Sequence, residues 1–125
     1  MAKKVCVFGM DGFIVPMMKK FVKEGCLPTF ERMLKEGTVN QLQPSFPVWT
    51  PTNWATLATG AHTGTHGATR WTVDVGPDER LDSFDGRAIS AERIWNALER
   101  EGYTSAVIHY PAAYPSGVKT GFVID

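Results

Sequence analysis

The chain has 125 residues, 13 basic against 13 acidic, and 43 % apolar content with 11 % aromatics, the composition of a globular domain. Zero net charge gives no overall attraction for nucleic acid or an anionic membrane, although seven basic residues oppose four acidic ones through residue 63 and six oppose nine thereafter. A chain of this length buries roughly two-thirds of its unfolded surface, enough for one core, so one domain is expected.

Val5-Cys6-Val7-Phe8-Gly9-Met10, closed by Asp11-Gly12-Phe13, suits a strand buried on both faces and puts Asp11 at its C-terminal end. The run is shorter than the ~7–15 residues of a signal h-region, and nothing approaches the ~18 of a membrane span, so a cytoplasmic protein is expected. Cys6 and Cys26 have neither the density nor the spacing of a disulfide framework or a metal knuckle and read as free thiols.

Met17, Met18, Phe21 and Val22 recur at helical spacing and stop at Gly25; Phe30, Met33 and Leu34 do so again and stop at Gly37. Thr38–Gln43 is a candidate second strand. Pro44, Pro47 and Pro51 then impose an extended approach to a helix that Thr50 caps, with Pro51 in its first turn and Gly60 at its end. Residues 61–89, with four glycines and five acidic residues, read as a long surface excursion with a short hairpin. Ser90 is the expected cap of a helix carrying Ile94, Trp95 and Leu98 on its apolar face, ending at Gly102. Thr104–Ile108 returns as a strand that ends at His109-Tyr110-Pro111. This order predicts an α/β fold, a mainly parallel sheet flanked by helices with right-handed crossovers.

In such sheets ligands gather outside the carboxyl ends of the strands, where Asp11, Thr50 and His109 are all expected. A carboxylate holds a divalent cation, a hydroxyl beside that cation loses its proton more readily, and a helix start favours negative charge. The combination points to an anionic ester as substrate.

The residues carrying this chemistry resemble the type I phosphodiesterase and nucleotide pyrophosphatase family of the alkaline phosphatase superfamily. Val7-Phe8-Gly9-Met10-Asp11-Gly12 is similar to the family's first strand with its metal-binding Asp, and Leu27-Pro28-Thr29-Phe30 through Gly37 to the segment after it. Thr50-Pro51-Thr52-Asn53-Trp54, then Thr56 to Gly60 and His66-Gly67, resemble the nucleophile helix and its following loop. Ile94 to Leu98, Gly102, Tyr110 to Pro115 and Gly121-Phe122 continue the likeness.

The resemblance implies an alkaline-phosphatase-like fold and hydrolysis of phosphate diesters or pyrophosphates. Asp11 would be a ligand of one metal and Thr50 both a ligand and the nucleophile, giving a phosphothreonine intermediate. Two divalent ions are implied, zinc first and manganese second. Pro51 removes one backbone N–H from the phosphate site, and Trp71 stands where some relatives have a phosphate-binding Asn, so Asn53 and Arg70 become the candidate phosphate contacts. The Cys/Ser-x-Pro-x-Arg motif of sulfatases is absent.

Family enzymes complete the two-metal site with Asp and His residues beyond the matched region, whereas here only His62, His66 and His109 occur, so the sequence reads as the N-terminal part of one such domain. Its expected partner is a small phosphate ester, with no nucleic-acid polymer and no membrane span. Surface left uncovered by a truncation would favour self-association. His66 reads as a loop organiser rather than a ligand, and Asp74–Asp85 as a solvated loop. The alternative reading is a non-catalytic α/β module lacking a complete metal site.

Overall fold

The computed structural model describes residues 4–124. It divides into two compact units, Met1–Gln43 and Pro44–Asp125.

In the first unit two helices follow the N-terminal run: α1, Val15–Lys23, and α2, Pro28–Glu36. Both are entered through proline in the first turn, where its missing N–H costs nothing. Met18 is buried, and Phe13 stacks on Phe30 with ring centroids 5.2 Å apart. The strands expected at Val5–Met10 and Thr38–Gln43 do not form: both stretches are irregular backbone. A strand exists only through a partner for its N–H and C=O groups, and this unit contains none among the described residues. The apolar run stays open instead, Val5 and Phe8 being more than four-fifths exposed.

The second unit is built around α3, Thr50–Thr59, followed by the short α4, Thr63–His66. The excursion contains the expected hairpin, β1, Thr72–Asp74, antiparallel to β2, Arg80–Asp82, and then a 3-10 turn at Gly86–Ala88. Helix α5, Ile94–Arg100, leads to β3, Ser105–Ile108, which pairs in parallel with β4, Gly121–Ile124. The described residues therefore hold two separate two-stranded sheets, one antiparallel and one parallel, in place of the single larger sheet the sequence suggests.

Helix α5 begins three residues later than expected: Arg93, not Ser90, is its N-cap residue, and no side chain caps it. Its end follows the sequence reading. Gly102, with φ of 80°, lets its own N–H reach Glu99 O at 2.9 Å and Tyr103 N–H reach Leu98 O at 2.8 Å, the paired bonds that close a helix through a left-handed residue.

Two small clusters form the core of this unit. Ala55, Ala68, Ile89 and Ala112 make one; Ala58, Trp95, Val107 and Ala113 make the other, with Tyr110, Val118 and Val123 packed against it. Helix α3 contributes Pro51, Thr52, Ala55 and Ala58 to the interior, a face of small residues that lets other backbone approach closely, while Leu57 is more than half exposed. Tyr110 locks the second cluster: its ring meets Trp54 and Trp95 edge-on at 5.0 and 5.1 Å, and its hydroxyl donates to Trp54 O at 2.8 Å. Desolvation there pushes its phenol well above the ordinary value.

Candidate functional site

The approach to α3 is stapled by one side chain. Asn53 Oδ1 accepts from Ser45 N–H at 2.9 Å, and Asn53 Nδ2 donates to Trp49 O at 2.8 Å. The amide thus spends its acceptor and one of its two N–H groups holding the proline-rich segment against the helix. Asn53, expected as a phosphate contact, is first a clamp on this segment.

Trp49 is extended, with φ of −123° and ψ of 150°, and occupies the N-cap position, so Thr50 is the first residue inside α3 rather than its cap. The difference matters chemically. A capping hydroxyl is bound to a backbone N–H of the first turn; α3 has no side-chain cap bond, and the Thr50 hydroxyl is uncommitted to that task. Thr50 is half-buried, at the positive end of the helix dipole. Two residues on, Thr52 is wholly buried, and its Oγ1 has no hydrogen-bond partner. Of the two hydroxyls in this turn, only that of Thr50 is accessible.

His66 is also wholly buried. Ala68 N–H donates to its Nδ1 at 3.1 Å, so Nε2 carries the proton and donates to Thr56 Oγ1 at 2.9 Å. Its carbonyl accepts from Ser90 N–H at 3.0 Å, and burial lowers the imidazole pKa. Both ring nitrogens are occupied, which makes His66 the organiser of the loop after α3 and leaves no lone pair for a metal.

Asp11 lies in the other unit, on exposed backbone after the N-terminal run. Arg70 is exposed, and among the described residues its guanidinium forms no ion pair. The acidic stretch, expected as a solvated loop, carries its carboxylates at the surface but includes β2 and buries Leu81 and Ser83: Asp74 pairs with Arg80 at 2.7 Å across the hairpin and Asp85 with Arg87 at 2.7 Å, the latter contact drawing the Asp85 carboxyl below its usual range. Among the described residues no three of His, Cys, Asp and Glu gather to hold a metal ion. Asp11 and Thr50 offer one carboxylate and one hydroxyl against the roughly three or four protein ligands each catalytic ion takes, so these residues do not make a complete two-cation centre. No helix among them is long and apolar enough to cross a membrane.

Sequence reasoning missed Arg93. Its half-buried guanidinium donates to Ala112 O at 3.0 Å, Pro115 O at 3.0 Å and Ser116 O at 3.2 Å, and it lies 5.5 Å from the Trp95 ring. With carbonyls rather than a carboxylate around it, burial lowers its pKa. These three partners lie 19 to 23 residues away, beyond any local periodicity.

These features define an α/β protein with an accessible threonine at the start of a proline-entered helix and a buried, neutral histidine that ties the middle of that helix to the loop after it. The chain belongs to the type I phosphodiesterase / nucleotide pyrophosphatase family, which matches residues 5–121. Comparison with curated proteins and with solved structures gives no match.

Proposed function

We propose that this chain carries the nucleophile-bearing part of a metal-dependent hydrolase of phosphate diesters or pyrophosphates, with Thr50 as the nucleophile. The observation that carries the reading is the contrast within one helical turn: Thr50 is accessible and free of capping duty, whereas Thr52 is sealed in the core. The Thr50 hydroxyl would give up its proton to solvent as its oxygen attacks phosphorus in line, forming a phosphothreonine while the leaving group departs with the bonding electron pair. Water would then hydrolyse that ester and return the hydroxyl. The positive end of α3 favours the anion throughout, and Asn53 keeps the strand of approach in place.

Asp11 would serve as a metal ligand and Arg70 as a phosphate contact. Zinc, or manganese in second place, would need ligands beyond the described residues, and the alkaline-phosphatase-like sheet would likewise be completed by further chain. A second reading, a non-catalytic α/β module, is favoured by the lack of a three-ligand cluster among the described residues.

The deciding assay follows bis-p-nitrophenyl phosphate turnover with zinc or manganese, on this chain and on any longer version of it. Metal-dependent turnover that falls by about a thousandfold or more in Thr50→Ala, with the fold retained, supports the hydrolase. A longer chain that neither binds metal tightly nor turns over the diester supports the module.

A further inference from the structure

The parallel pair β3–β4 is an unfinished sheet. One face, carrying Val107 and Val123, packs on Trp95 and Ala113. On the other the register sets Ala106 beside Phe122 and Ile108 beside Ile124, and this apolar face is open, with Ile108, Phe122 and Ile124 each about half exposed. Because the sheet has only two strands, each strand also has an edge whose N–H and C=O groups meet no other strand. Parallel strands are ordinarily covered on both faces, and a two-stranded sheet is marginal without a third.

The same chain holds a strand without a sheet. Residues 5–10 combine apolar, β-branched and aromatic side chains with no charge, and their backbone groups have no hydrogen-bond partner among the described residues. Val5, Val7 and Phe8 are each more than two-thirds exposed. Charge decides which surface suits this run. Met1–Gln43 carries seven basic and four acidic residues, net +3, whereas Pro44–Asp125 carries six and nine, net −3. Two such runs pairing with each other bring like charge together; a run laid on β3–β4 brings opposite charge together.

We infer that residues 5–10 of one copy of this chain add as a strand to the β3–β4 sheet of a second copy. Main-chain hydrogen bonds along the free edge supply affinity, and alternate side chains of the run extend the open apolar face. When the second copy returns its own run, the two seams are equivalent and the assembly closes as a dimer instead of growing into a filament. The interface belongs equally to a hydrolase and to a non-catalytic module.

The test attaches a nitroxide to Cys6 of the full chain, in a Cys26→Ser background that leaves Cys6 the single thiol, and mixes it with isotope-labelled chain carrying no nitroxide. Only contact between copies broadens the labelled amides. The expected result is broadening at residues 105–108 and 121–124, together with a dimer by light scattering that dissociates more readily in high salt. Successive N–H groups of a strand point to opposite sides, so one of Val7→Pro and Phe8→Pro removes a ladder bond whichever edge is used; that variant weakens the dimer by about tenfold or more. Broadening confined to residues 5–10 means that the runs pair with each other, and equal dimerisation of both proline variants and the parent means unspecific apolar contact. A monomer throughout a dilution series means that the run is covered within its own chain or by a different protein. Each of these three outcomes overturns the inference.

Discussion

The Nε2–H of His66 meets the hydroxyl of Thr56 at 2.9 Å in the interior, joining the middle of α3 to the loop that follows it. Because Ala68 N–H occupies Nδ1, the imidazole holds this loop only while neutral. Protonation would set two N–H groups against each other at Nδ1.

A pH dependence of stability follows. Burial lowers the His66 pKa in the folded chain below the ordinary 6.5, so between these two values the unfolded chain binds a proton that the folded chain does not. Stability from this group is complete above about pH 6.5 and is lost as the pH falls toward the folded value. Urea unfolding at pH 7.5 and 5.5 should show the decrease, and His66→Gln should flatten it. A His66→Gln chain with the same slope would place the titration elsewhere.

Thr52 makes the opposite kind of statement. A buried hydroxyl without a partner costs free energy, and valine keeps its shape without the oxygen. Thr52→Val is expected to leave stability unchanged or to raise it by about 1 kcal/mol, with activity retained. Loss of more than about 1 kcal/mol in denaturant titration would mean that the hydroxyl is bonded, for instance to an internal water.

Arg93 holds the loop at residues 112–116 by three carbonyls at once. Arg93→Met keeps much of the packing beside Trp95 and removes the donors, so a loss of about 2 kcal/mol is expected, with faster amide exchange through residues 112–117. Unchanged exchange there would show the loop to be held by Asn96, which donates to Ser116 O at 2.8 Å, and by packing alone.

The parallel pair depends on one absent side chain. A Cβ on Gly121 would run into the carbonyl oxygen of Ser105 on the neighbouring strand, at a backbone φ of 99° that also resists substitution. Gly121→Ala should cost about 2–4 kcal/mol and broaden the amide signals of β3 and β4 together. A near-neutral result would mean that the two strands separate at that end without consequence for the rest of the unit.

The sequence by itself determined where the four longer helices stop and where three of them start, because proline and glycine act within a few residues of chain. Pro16, Pro28 and Pro51 enter α1, α2 and α3, and Gly25, Gly37, Gly60 and Gly102 mark the ends of the four longer helices. It also carried the family in the order of its segments, and it placed Thr50 at the head of α3. Tertiary structure alone decided the rest. Apolar character nominates Val5–Met10 as a strand as strongly as it does Thr104–Ile108, but among the described residues only the latter finds a partner, β4, to share its hydrogen bonds. Side-chain size would bury Leu57, yet α3 turns its alanines inward. Two threonines in one turn are chemically equal until packing seals Thr52 and leaves Thr50 accessible, because burial and pairing are set by residues far along the chain, which no local pattern records.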